Sequence, residues 1–117
     1  MTAFRTGTPR YWDTHIHLER YGDEAERLVE ESAAAGVARI VAVSMDLASS
    51  RRTAVWAGRF PKTVLPAYGF HPEQPLPDDA ALDELFAWME ERHAAGERFA
   101  VGEVGLPHYS REEARQA

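Results

Sequence analysis

The 117-residue chain has no cysteine. It can therefore hold no disulfide and no thiolate ligand, and nothing in it points to an oxidising compartment. Any metal ion must sit on histidine, aspartate or glutamate. Long apolar runs are also missing: the longest, around Val37 to Met45, is too short to span a bilayer, so no membrane association is expected. Positive charge is scarce. Lys and Arg number 13 against 19 Asp and Glu, giving a net charge of -6 and a pI near 5.3. A field of that sign repels polyanions, so any contact with nucleic acid would need cations to mediate it. The default expectation is a cytoplasmic protein.

What is present is ordinary globular composition, with 44% hydrophobic and 27% charged residues. That is enough for one compact unit with a real core. Residues 1–10, "MTAFRTGTPR", read as a flexible leader, and residues 11–117 as the domain. Within it, "GDEAERLVEESAAAG" (22–36) predicts a helix with Ala25, Leu28, Val29 and Ala33 on one side and acidic residues on the other. "VARIVAVSM" (37–45) is apolar and β-branched without alternation, as in a strand buried on both faces of a parallel sheet. A second helix is predicted from Ser49 or Ser50 to near Gly58, and a third strand over 62–70. "PDDAALDELFAWMEERHAAG" (77–96) sets Leu82, Leu85, Phe86 and Met89 at helical spacing, and 98–106 is a fourth strand. Such βα alternation implies a parallel sheet with right-handed crossovers, either doubly wound or part of an eight-fold barrel.

At the C-terminus, Ser110 and Glu113 are spaced as a capping box that opens a further helix. A βα barrel typically needs ~250 residues. The chain is thus expected to be a fragment, with its last strand an exposed edge through which copies could associate.

The chemistry concentrates in three places. In "YWDTHIHLE", Asp13, His15 and His17 alternate, so a strand would put them on one face, with Trp12, Thr14, Ile16 and Leu18 turned into packing. Imidazoles with a carboxylate beside them suit a zinc-like or transition-metal site, while the plain alternative is a pair of surface histidines. Glu103 lies in the otherwise apolar "FAVGEVGL", where an unpaired carboxylate is costly and wants a cation; Arg98 and Arg5 are the ordinary partners available. Gly102 and Gly105 would let a ligand or backbone come close. His71, in "GFHP", is a candidate for contact with a substrate phosphate or else a loop histidine bonded to backbone. All three stretches fall at the ends of predicted strands, the end at which parallel α/β folds bind ligands. Pro107, His108 and Tyr109 follow the fourth strand as further candidates. His93, near a helix C-terminus, reads as structural or solvent-facing, and Trp56 and Trp88 as packing residues. Glu24, Glu26, Glu30 and Glu31, interspersed with Arg20 and Arg27, read as a solvated helix face.

The ordered trio "DTHIHLE", "GFHPEQ" and "VGEVGLPHY" resembles the TatD-like metal-dependent hydrolases of the amidohydrolase superfamily, from Tyr11 onward. The resemblance implies an α/β fold, a partial (β/α)8 TIM barrel of about the first four βα units. It implies a divalent metal pair, zinc, manganese or magnesium, with His15 and His17 as ligands of one ion and Glu103 bridging both as a catalytic group. His71 would be substrate-binding and Asp13 would orient a ligand histidine from behind. The implied activity is two-metal phosphodiester hydrolysis on a nucleic acid substrate, as a DNase. Many relatives carry aspartate where this chain has Pro107. The family also draws two histidines and an aspartate from strands in the second half of the barrel. Two other readings keep the residues but change the role: an ester or amide hydrolase such as a deacylase of mischarged transfer RNA, or a non-catalytic metal-binding fragment.

Overall fold

The computed structural model describes residues 10–105. Most of the leader, Pro107, His108, Tyr109 and the helix expected from Ser110 lie outside the described residues. Strand β1 (Tyr11–Ile16) leads into a 3-10 segment (Leu18–Glu24) and helix α1 (Ala25–Ala34); β2 (Val37–Val43) is followed by α2 (Leu47–Arg59), β3 (Val64–Tyr68) by α3 (Asp79–Ala94), and β4 (Ala100–Val101) comes last. All pairings are parallel, in the order β1-β2-β3-β4. That order settles the architecture. A doubly wound sheet reverses its strand order at a switch point, whereas here each strand is added on the same side, as in a barrel. The fold is an α/β half-barrel of four parallel strands with helices between them, as in the first half of a (β/α)8 barrel.

The core lies between the sheet and the first two helices. Leu18, Ala25, Val29, Ile40, Ala42 and Val64 are buried together, with Ile16, Leu28, Trp56 and Phe60 packed around them. Burial of each larger aliphatic side chain is worth roughly 1.5–3 kcal/mol. One polar pair crosses this layer, where the buried Ser44 hydroxyl donates to Thr53 Oγ1 at 2.9 Å. Trp56 stacks on Phe60 and Trp88 meets Tyr68 edge-on, so both indoles serve packing. The acidic face of α1 is solvated, and its charges are spent on ion pairs such as Arg27 with Glu31 and Arg59 with Glu26.

Several elements differ from their sequence-based outlines, each for a local reason. Helix α2 starts earlier than expected because Asp46 caps it, accepting the Ser49 amide at 2.8 Å while the Ser49 hydroxyl accepts the Asp46 amide at 3.0 Å. Helix α1 begins only at Ala25, since Gly22 takes φ 53°, ψ -127° and breaks the preceding turn. Trp12 and Phe86 are exposed rather than packed. Trp12 sits where the β1–β2 register shifts, and its ring instead carries the Arg39 guanidinium 5.5 Å from its centroid. Helix α3 buries only Leu85, so the neighbouring Phe86 points away from the sheet. The last strand is much shorter than expected: β4 is two residues long, and Val101 and Val104 are exposed along that edge.

Candidate metal centre

The carboxyl ends of the strands deliver the titratable groups. His15 stands near the end of β1 and His17 one residue beyond it; His71 follows β3 by three residues, and Glu103 follows β4 by two. Glu103 Oε2 lies 3.2 Å from His15 Nε2 and 3.3 Å from His17 Nε2, and Glu103 Oε1 lies 3.4 Å from His71 Nε2. The three stretches singled out in the sequence therefore converge on a single carboxylate. The ligand atoms of His15, His17 and Glu103 all lie within 4.8 Å of one another. Arg98, the ordinary partner considered for Glu103, makes no ion pair with it among the described residues.

Backbone contacts fix which nitrogens face inward. His17 Nδ1 lies 2.9 Å from the Val43 carbonyl oxygen. An acceptor at that distance requires the proton on Nδ1, which in the neutral ring leaves Nε2 with a free lone pair. His71 is held the other way round. Its Nδ1 accepts the Glu73 amide at 3.1 Å, so its neutral ring carries the proton on Nε2, the nitrogen turned toward Glu103. The His71 backbone is in turn anchored by its amide, which donates to the Met45 carbonyl at 2.8 Å. The two histidines face the same carboxylate with opposite hydrogen-bonding character.

This arrangement fits a cation. Glu103 Oε2 is buried and accepts no hydrogen bond among the described residues, yet it faces the unprotonated Nε2 of His17. Two lone pairs brought that close repel each other unless a positive charge lies between them. Two imidazoles and a carboxylate are also a donor set suited to divalent transition ions. His15 is the open side of the cluster, with its side chain 55% exposed.

Asp13 Oδ1 accepts the backbone amide of His15 at 3.1 Å and so holds the main chain of that residue. Nearby, β1 pairs Asp13 with Ile40 but Ile16 with Ala42, so one extra residue is accommodated between them. Such a bulge interrupts simple alternation and re-aims side chains.

Three contributors were not anticipated. Gly69 is required by a close crossing, since a Cβ built there would lie 2.7 Å from the Gly102 carbonyl oxygen. At Gly102 itself an added Cβ would meet only the Ala67 Cβ, at 3.6 Å, which is ordinary contact. The Val43 carbonyl orients His17, a role no side-chain motif can announce. Glu19 is buried behind His17. Burial pushes its pKa up, opposed by the charges of His17, Arg52 and Arg20. The signal for it was the spacing in "HLE", a carboxylate two residues after a candidate ligand. His93, by contrast, is exposed in the last turn of α3, as expected.

Among the described residues no helix is long and apolar enough to cross a membrane. Comparison with known proteins agrees with the geometry. The chain is 38% identical over 102 residues to an uncharacterized metal-dependent hydrolase of Haemophilus influenzae, covering 87% of this chain and 39% of that protein. It is 38% identical over 104 residues to an uncharacterized metal-dependent hydrolase, TatD, of Mycobacterium tuberculosis, covering 83% of this chain and 37% of that one. A third relative, the metal-dependent hydrolase YabD of Bacillus subtilis, is 32% identical over 100 residues, covering 84% and 38%. The chain thus spans less than two fifths of the length of these curated relatives. The family described as TatD related DNase matches residues 12–117, a span that contains His15, His17, His71 and Glu103. With that match over nearly the whole chain and the expected side chains gathered at the barrel mouth, the protein belongs to the TatD-related DNase family.

Proposed function

We propose that this chain is the N-terminal, metal-holding half of a hydrolase that cleaves phosphodiester bonds in nucleic acid. The observation that carries the reading is the buried Glu103 Oε2, which accepts no hydrogen bond among the described residues, between the Nε2 atoms of His15 and His17. His15, His17 and Glu103 would hold divalent cations, zinc, manganese or magnesium. When bound, such ions lower the pKa of water and neutralise charge on phosphate oxygens.

The remaining steps belong to the protein's own groups. His17 is locked by the Val43 carbonyl with Nε2 inward, so it offers a lone pair and no proton. His71 is locked by the Glu73 amide with its Nε2 proton inward, so it can donate a hydrogen bond to a substrate oxygen. Asp13 holds the main chain at His15, which keeps that end of the strand in place. The positive charge delivered at this cluster lets an acidic chain of net charge -6 engage a polyanion.

The test is to assay the metal-loaded protein, in its longest natural form, on a single-stranded oligonucleotide and on an aminoacyl ester. Metal-dependent release of nucleotides, abolished in His15→Ala and Glu103→Gln, is the expected result. Hydrolysis of the ester alone would shift the reading to a deacylase.

A further inference from the structure

Glu19 is the most deeply buried acid among the described residues, with its side chain only 1% exposed. Among the described residues its Oε1 accepts no hydrogen bond. Burying a carboxylate without full compensation is costly, so its surroundings should show what it acts on. Oε1 lies 3.7 Å from His17 Nδ1, and Oε2 lies 3.9 Å from the Arg52 guanidinium, whose side chain is 58% exposed. Neither distance is that of a hydrogen bond. The carboxylate is therefore placed as a charge, behind the protonated edge of a ligand imidazole.

We infer that Glu19 is a positioning residue for His17, confining the Nδ1–H edge of the ring between its own carboxylate and the Val43 carbonyl and making Nε2 a stronger donor to a divalent cation. The Val43 carbonyl, at 2.9 Å, sets the tautomer; Glu19 adds the negative charge that a neutral carbonyl lacks. Outer partners of this kind orient a ligand histidine and raise its basicity. The 3-10 segment makes the placement possible. Leu18 is fully buried in the core, and the Arg20 amide donates to the His17 carbonyl at 3.1 Å, which turns Glu19 back under the ring. This inference rests on the metal reading of the His15, His17 and Glu103 cluster. The competing role for Glu19 is purely structural, as the partner of Arg52.

The two roles separate in one experiment on the intact chain: zinc and manganese affinity measured by competition with a chromophoric chelator, with the histidine ring nitrogens followed by 15N NMR in the metal-free protein. Glu19→Gln, nearly isosteric, should weaken metal binding roughly tenfold to a hundredfold, the range for loss of an outer partner, and should move the His17 Nδ1–H resonance. Glu19→Asp keeps the charge and should bind more tightly than Glu19→Gln. Arg52→Ala removes the competing cation and should leave metal affinity undiminished. Wild-type affinity in Glu19→Gln, equal losses in Glu19→Gln and Arg52→Ala, or Glu19→Asp binding more weakly than Glu19→Gln would each overturn the inference while leaving the metal centre intact. No metal binding by the wild type would remove both.

Discussion

Gly69 offers the most direct test of how the fold delivers Glu103. A Cβ at this position would lie 2.7 Å from the Gly102 oxygen, 2.8 Å from the Gly102 carbonyl carbon and 2.9 Å from the Glu103 oxygen. All three are backbone atoms, so no side chain can swing aside. Reaching ordinary contact at 3.4 Å requires the chains leaving β3 and β4 to part by 3.4 minus 2.7, or 0.7 Å. Overpacking of this sort costs about 1–3 kcal/mol. The bond from the Gly102 amide to the Tyr68 carbonyl, 3.0 Å long, lies across the same gap, and losing it adds about 0.5–1.5 kcal/mol. Gly69→Ala should therefore destabilise by roughly 2–4 kcal/mol in urea unfolding and weaken metal binding, because Glu103 moves with its backbone. Gly58→Ala is the control. It lies within α2 with nothing inside 4 Å of an added Cβ, and alanine there should stabilise by about 0.5–1 kcal/mol. The reasoning fails if Gly69→Ala is as stable as wild type, or if it loses stability and keeps full metal affinity.

Other outcomes follow from the same coordinates. Loss of His17 should cost more metal affinity than the roughly tenfold to hundredfold typical of outer partners, while His71→Ala should leave affinity nearly intact and lower only turnover; equal losses in binding would mean His71 is a ligand. Leu85→Ala should cost about 2–4 kcal/mol, because this side chain, 2% exposed, is the one buried residue of α3, whereas Phe86→Ser should be close to neutral. Faster amide exchange confined to α3 in Leu85→Ala would confirm that it is the anchor. Burial, reinforced by the hydrogen bond its hydroxyl donates to Glu97, pushes the Tyr68 pKa well above the ordinary value of 10.0. The folded state thus keeps a proton that the unfolded chain releases above that pH. The corresponding stability is fully present below pH 10 and is lost as pH rises further. Tyr68→Phe should flatten that alkaline decline, and an unchanged pH profile by circular dichroism would count against it.

The parts of the fold that could be read from sequence are those where one periodicity dominates. The unbroken β-branched run of β2 and the spacing of Leu82, Leu85 and Met89 in α3 announce their elements directly. The gathering of His15, His17 and Glu103 was equally legible, because a carboxylate in the apolar "FAVGEVGL" and alternating histidines in "DTHIH" are both expensive to leave without a purpose. Alternation could not show the register shift after Asp13, which depends on how β1 meets β2. Sequence likewise assigned the close approach to Gly102 and Gly105, whereas the geometry makes Gly69 the residue that cannot carry a side chain. The inward nitrogen of each histidine is set by the Val43 carbonyl and the Glu73 amide, groups that every sequence possesses. Trp12 and Phe86 were misassigned for a related reason: hydrophobicity shows that a side chain can be buried, and packing decides whether a partner is there to cover it.

The central claim, that His15, His17 and Glu103 form a cation site, is tested most directly by X-ray absorption at the zinc edge on the protein titrated with one equivalent of metal. The account predicts imidazole scattering from two histidines with oxygen completing the shell, reduced to one imidazole in His17→Ala. A shell of oxygen alone, or a spectrum unchanged by His17→Ala, would contradict it.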